Sequence, residues 1–172
     1  LENHLNIFMK TKFSPLVSII IVNYNNKKYL KNCLNSVLKQ SYLKKEIILF
    51  DDQSNDGSDI VINKFKKKIK LIKSKKRTSF GSYNQMNGYY KGSKFAKGSI
   101  LFFLDSDDYF VKNKIEMIVE EFRKSKKDII FDLPIILYSS KNKNKFKFFQ
   151  RKFNYSSWPR FTPQSCISIK KN

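Results

Sequence analysis

Short apolar runs alternating with segments of helical period constrain this chain more than any other feature. Leu16 to Val22 is apolar apart from Ser18 and rich in β-branched residues, the mark of a strand buried on both faces. It ends in Asn23-Tyr24-Asn25-Asn26. Glu46 to Phe50 reads as a second strand and runs straight into Asp51-Asp52, Ile69 to Ile72 as a third, and Ile100 to Leu104 as a fourth that ends in Asp105-Ser106-Asp107-Asp108. Between them, Leu30, Cys33, Leu34, Val37 and Leu38 recur on one helix face, and Ile60, Val61 and Phe65 suggest a short helix. Phe80, Tyr83, Met86 or Asn87, and Tyr90 also fit a helix, although Gly81, Gly88 and Gly92 weaken that reading. Ile115, Ile118, Val119 and Phe122 give another. Asp128 to Phe131 and Ile135 to Tyr138 look like further strands. Strand–helix alternation predicts βαβ units: an α/β fold with a Rossmann-like, mainly parallel sheet and helices on both faces. Ligands bind such sheets at the carboxyl ends of the strands, where three polar clusters fall here.

The 172 residues suffice for one α/β domain and not for two large ones. Residues 1–14 read as a tail, with Met9 a candidate natural start, 15–125 as the core, and 126–172 as the start of a further region. No apolar run approaches the roughly 20 residues of a transmembrane helix, and no signal-peptide core is present, so the expected compartment is the cytoplasm. Cys33 and Cys166 make neither a disulfide framework nor a zinc site, and the lone His4 argues against histidine chemistry. Lys and Arg number 35 against 14 Asp and Glu, a formal charge of +21. That balance suits polyanions or an anionic membrane, yet Lys is spread over loops and helix faces alike, as biased composition alone would produce. After Asp132 no acid follows, and basic and aromatic residues interleave. Such a stretch binds single-stranded nucleic acid or a membrane interface, or is an ordinary hairpin; Lys145-Phe146-Lys147-Phe148 has the period of a half-buried strand.

The carboxylates carry the chemistry. Asp105, Asp107 and Asp108 lie within four positions at a strand end, and Asp51 and Asp52 lie at another. Like charges this close repel unless something neutralises them, and a hard cation such as Mg²⁺ or Mn²⁺ does so. Mg²⁺ takes one or two protein carboxylates and completes its shell with water and phosphate oxygens, so an acidic turn suits a metal-bound diphosphate. The plain alternative is an Asp-rich turn capping the next helix. Neither a P-loop nor a G-x-G-x-x-G is present, so phosphate recognition would rest on metal and side chains.

Taken together, VSIIIVNYNNKKYLKNCLNSVLKQSY (17–42), EIILFDDQSNDGS (46–58) and GSYNQMNGYYKGSKFAKGSILFFLDSDD (81–108) resemble the family 2 glycosyltransferases with the GT-A fold. The resemblance implies a nucleotide-diphosphate sugar as donor, a UDP-sugar favoured, Mn²⁺ or Mg²⁺ as cofactor, and inverting transfer to a glycan or lipid-linked acceptor hydroxyl. It places Asn23 and Tyr24 in the loop packing on the base, Asp52 on the base N–H, and Asp105 with Ser106 at the ribose or sugar. It gives Asp107 to the metal, with Asp108 as the alternative ligand, and sets Asn87 near the donor pocket. Asp51 would support the turn.

Val22-Asn23 replaces the family's usual Pro-Thr, and Met86 replaces an Arg whose charge Arg77 could restore from upstream. Each position has a structural alternative: Tyr24 a cap on the core, Asp52 an N-cap, Asn87 a helix-face residue, Arg77 a solvated charge. The general base of an inverting transfer comes late in the family's sequences, and neither Asp128 nor Asp132 sits where it is expected. The catalytic residue is therefore unassigned, and the expectation is a donor-binding half whose acceptor region is incomplete. Two other classes compete: a basic nucleic-acid-binding module, which no motif supports, and a sugar nucleotidyltransferase, which would want a glycine-rich loop where Asn23 to Asn26 stand. The charge also fits peripheral contact with anionic lipid at the inner face of the membrane.

Overall fold

The structure, a computed structural model, describes residues 13–125, 127–132, 136–140, 143–147, 165 and 167–171. The expected tail up to residue 12, Cys166 and most of the basic-aromatic stretch lie outside them. Strand β1 (Val17–Asn23) is followed by α1 (Lys27–Leu38), β2 (Lys45–Asp51), α2 (Ser58–Phe65), β3 (Lys70–Lys73), α3 (Gly81–Lys94), β4 (Ile100–Asp105) and α4 (Lys114–Lys124). Then come β5 (Ile129–Phe131), β6 (Ile136–Ser140), β7 (Lys143–Lys147) and β8 (Ile167–Lys170).

Six strands form one sheet in the order β3-β2-β1-β4-β8-β5. β1, β2, β3 and β4 run parallel, while β8 lies antiparallel between β4 and β5. β6 and β7 pair as a separate antiparallel hairpin, with Ile136 opposite Lys147. The mainly parallel α/β sheet is thus present, and β8 extends it from the far end of the sequence.

Side chains of β1 alternate between the two faces, as a strand buried on both sides requires. Val17, Ile19 and Ile21 join one core with Leu30, Cys33, Leu34 and Val37 of α1, Ile62 of α2, and Ile115, Ile118, Val119 and Phe122 of α4. Ile20 and Val22 join a smaller one with Ile48, Phe50, Tyr89, Ala96 and Leu101 under α3.

Helix α3 exists where the aromatic spacing predicts it, but it is turned the other way. Its buried residues are Asn84, Gly88, Tyr89 and Gly92, while Phe80, Tyr83 and Tyr90 are exposed. The glycines explain this. A Cβ at Gly92 would stand 2.5 Å from Ile20 Cγ2, and one at Gly88 would stand 2.9 Å from both Phe50 and Val22. The helix backbone lies against the sheet at a distance only glycine permits. The residues that weakened the helix reading are therefore the ones that seat it.

Candidate functional site

The parallel register brings the three polar strand ends together: Asn23 is level with Asp51, and Val22 with Asp105. Much of the β1 and β2 termini is scaffold. Asn23 Nδ2 donates to Asp51 Oδ1 and to Ser54 Oγ, both at 2.9 Å, and Ser54 Oγ donates to Asp51 Oδ1 at 2.7 Å. The Asp52 N–H donates to the Asn23 carbonyl at 2.8 Å. Asp56 accepts from the Lys27 N–H at 2.7 Å and from the N–H and hydroxyl of Ser58. The D-D-x-S-x-D-G-S segment thus ties α1, β2 and α2 into one rim, leaving the Asp52 carboxylate to line the cleft above it.

Above this rim opens a cleft of about 220 Å³, lined by Val22, Tyr24, Asp52, Arg77, Asp105 and Asp107 among others. Tyr24, Asp52, Asp105, Ser106 and Asp107, all expected from the sequence, are lining residues. Residues 52 and 107 share one cleft, although they come from different strand ends. Two residues expected at the donor lie off the cleft lining. Asn23 is fully buried and is not a lining residue, because its amide is used inside the rim. Asn87 does not line the cleft either; Gln85 of the same helix does. Residues two apart on a helix point about 200° apart, so turning Gln85 inward turns Asn87 away.

Asp52 is buried at 2% exposure and ion-paired with Arg77. The Arg77 guanidinium also stacks on Tyr24, its Cζ 3.2 Å from the ring centroid. Arg77 is therefore a cleft residue rather than a solvated charge. Asp105 accepts from Gln85 Nε2 at 2.5 Å and from the Tyr89 hydroxyl. Burial pushes its carboxyl above the usual carboxylate range; those two hydrogen bonds oppose the shift, and the charges of Asp108 and Asp107 add to it. Burial, together with the Asp105 charge, likewise raises the Tyr89 phenol, keeping it a neutral donor. Ser106 is buried and accepts from Asn26 Nδ2 at 2.8 Å.

Asp107 and Asp108 differ. Asp107 is exposed, lines the cleft, and among the described residues has no hydrogen-bond or ion-pair partner. Asp108 accepts from Ser165 Oγ at 2.6 Å and is not a lining residue. Ser165 Oγ also accepts from the Asp105 N–H at 3.1 Å, so the segment before β8 braces the acidic turn. Asp132 is paired with Lys114 at 2.9 Å and Asp128 lies 3.9 Å from Lys170; neither lines the cleft.

Among the described residues, no group of three or more His, Cys, Asp or Glu is arranged to hold a metal. The donor set fits a different arrangement. One free hard carboxylate at a cleft mouth, with others engaged behind it, suits an ion that takes one or two protein oxygens and the rest from phosphate and water.

Sequence reasoning missed Gln85 and the Tyr89 hydrogen bond, and it left Arg77 open. Gln85 and Tyr89 sit on a helix whose inward face is written in glycines, so no hydrophobic stripe pointed to them. Asn26 stood in the polar turn after β1 without a role.

Residues 18–169 match the glycosyl transferase family 2 profile. The uncharacterized glycosyltransferase alr2836 of Nostoc sp. is 37% identical over 113 residues, covering 63% of this chain and 33% of that protein. The Escherichia coli UDP-Glc:alpha-D-GlcNAc-diphosphoundecaprenol beta-1,3-glucosyltransferase WfaP is 41% identical over 109 residues, covering 58% of this chain and 38% of that protein. The solved structure of S. aureus TarS in complex with UDP superposes with a TM-score of 0.56 at 28% identity, over 67% of this chain and 34% of that one. The chain thus spans about a third of the length of each of these three proteins. Its sheet has the GT-A architecture of its structural neighbours, and the chain belongs to glycosyl transferase family 2.

Proposed function

We propose that this chain is the donor-binding part of a glycosyltransferase that moves a sugar from a nucleoside diphosphate, a UDP-sugar above others, to an acceptor hydroxyl. The observation that carries the reading is the convergence of Tyr24, Asp52, Asp105 and Asp107 on one cleft at the carboxyl ends of β1, β2 and β4. UDP in the TarS complex and UDP-Glc in the WfaP name support the choice of base.

Tyr24 offers a flat ring for a planar base to stack on, and Asp52 an acceptor for a base N–H. Arg77 covers both, so an entering base either displaces the guanidinium or stacks on its outer plane. Asp105, oriented by Gln85 and Tyr89, accepts a sugar or ribose hydroxyl. Asp107, with Asp108 as alternative, would hold Mn²⁺ or Mg²⁺; a bound ion would supply screening of the charge that develops on the leaving diphosphate.

The transfer is inverting. The acceptor oxygen forms a bond to the anomeric carbon as the bond to the diphosphate oxygen breaks, and a base takes the hydroxyl proton. Asp128 and Asp132 are ion-paired and do not line the cleft, so neither is assigned as that base. The acceptor is a glycan or lipid-linked sugar, as the WfaP name suggests for that protein, met in the cytoplasm at the inner membrane face.

The test is a thermal-unfolding panel with UDP, GDP, CDP and dTDP, each with and without Mn²⁺. UDP with Mn²⁺ should stabilise most, by about 2.7 kcal/mol at a hundred-fold excess over Kd. Asp107→Ala should lose the metal-dependent part and keep the wild-type melting temperature without ligand. Equal shifts with and without Mn²⁺, or none with any nucleotide, would refute the assignment.

A further inference from the structure

Helix α3 carries Tyr83 and Tyr90 outward, while Tyr89 packs inward. Tyr83 and Tyr90, both 60% exposed, are seven residues apart and so lie on one stripe two turns long. Phe80, at the N-terminal end of the helix, is 73% exposed. The stripe continues to Lys94, whose Nζ sits 4.3 Å from the Tyr90 ring centroid. Beyond the helix end, Phe95 is 46% exposed and has Lys70 Nζ of β3 4.4 Å from its ring centroid. The patch therefore runs from α3 onto the edge strand of the sheet, where Lys70 and Lys73 are both exposed.

Charge distinguishes this surface from an ordinary exposed apolar patch. Between Asp59 and Asp105 the sequence contains no acid and twelve Lys or Arg. β3 and α3 both lie within that stretch. Glu46, which reaches the residues just past the C-terminal end of α3, is engaged by the Ser18 hydroxyl and by the N–H groups of Lys97 and Gly98. The surface thus pairs large rings with lysines that make no ion pair among the described residues, the composition that seats a helix in the headgroup region of an anionic bilayer. Nucleic acid would also accept the charge. An outward stripe of rings along a helix that packs flat on a sheet suits a planar lipid surface better than a strand threading a groove.

We propose that the outer face of α3, with the β3 edge, docks this protein on an anionic lipid surface. Gly81 and Gln85 of the same helix line the cleft from the side opposite Tyr83, so docking through the tyrosine stripe leaves the cleft open. This deepens the reading above, because it supplies the surface on which a lipid-linked acceptor would be met, and its test does not depend on donor binding.

The experiment is co-sedimentation of the full 172-residue chain with two kinds of vesicle: phosphatidylcholine alone, and phosphatidylcholine with phosphatidylglycerol in a two-to-one ratio. Binding should be confined to the anionic vesicles at low salt. Lys70→Gln with Lys94→Gln should weaken partitioning by about five-fold per lysine. Tyr83→Ser with Tyr90→Ser should weaken it several-fold while leaving the circular dichroism spectrum and melting temperature unchanged. Lys28→Gln with Lys31→Gln on α1, across the sheet, should matter much less. Asp107→Ala should bind vesicles as wild type does, even where it abolishes the nucleotide response, which separates failure here from failure of the donor assignment. Equal binding to neutral vesicles, full retention by the tyrosine variant, or tight binding to an oligonucleotide in place of vesicles would each overturn the proposal. So would a dimer that the tyrosine variant abolishes, without vesicle binding.

Discussion

The two faces of the sheet are built on opposite principles. On one, α1, α2 and α4 press Leu, Ile, Val and Phe side chains onto alternate residues of β1, and the helices stand off at a side chain's length. On the other, α3 brings Gly88 and Gly92 down onto Ile20, Val22 and Phe50, so backbone replaces side chain as the packing surface. The first face spends its apolar residues inside. The second leaves Tyr83 and Tyr90 free to face outward and its polar residues, Asn84 and Gln85, free to turn toward the loops and the cleft. The outer surfaces differ as well. On α4, Glu120 pairs with Arg123 and Lys124, whereas α3 bears no acid at all. A helix seated on glycine is thereby released to serve the site and the surface.

Three substitutions would break or sharpen this contrast. Leu34→Ala, at a fully buried position of the large face, should cost about 2–5 kcal/mol in denaturant unfolding; a loss below about 1 kcal/mol would show that this face is loosely packed. Gly92→Ala should be destabilising by about 1–3 kcal/mol, because the new methyl meets buried Ile20, and this outweighs the roughly 1 kcal/mol gain in helix propensity. A stabilised Gly92→Ala protein would mean that α3 is not seated on its backbone. The smallest effect belongs to α4. The hydrogen bond from Arg123 holds the Glu120 carboxyl down at about 2, assisted by the charges of Arg123 and Lys124. Its contribution is present above the ordinary carboxylate pKa of about 4.3 and is lost as pH falls through about 2. Arg123→Ala should return the Glu120 titration, followed by NMR, toward the ordinary value, with little change in stability at neutral pH.

Much of the architecture was legible because buried strands and side-chain-packed helices announce themselves by period. The seven-residue β1 and the Leu30–Val37 face of α1 follow directly from apolar spacing. The acidic strand ends were legible for the same reason: Asp52, Asp105 and Asp107 each follow an apolar run, and βαβ topology sends every such end to one rim. Asn23 could not be oriented, because its place at the end of β1 says nothing about whether its amide turns outward or holds Asp51 and Ser54. Asn87 could not be oriented either, because α3 hides its inward face. Arg77 could be suspected but not placed, since its partner Asp52 lies 25 residues earlier in the chain.

The order of strands and helices, and the gathering of carboxylates at one sheet edge, were decided by sequence alone, because hydrophobic period and connection handedness leave few other folds open. Which way α3 faces, which of its polar residues enters the cleft, and that Arg77 lies over Tyr24 were decided only in three dimensions. Those outcomes depend on how closely two backbones approach and on partners far apart in the chain, and no local pattern encodes either.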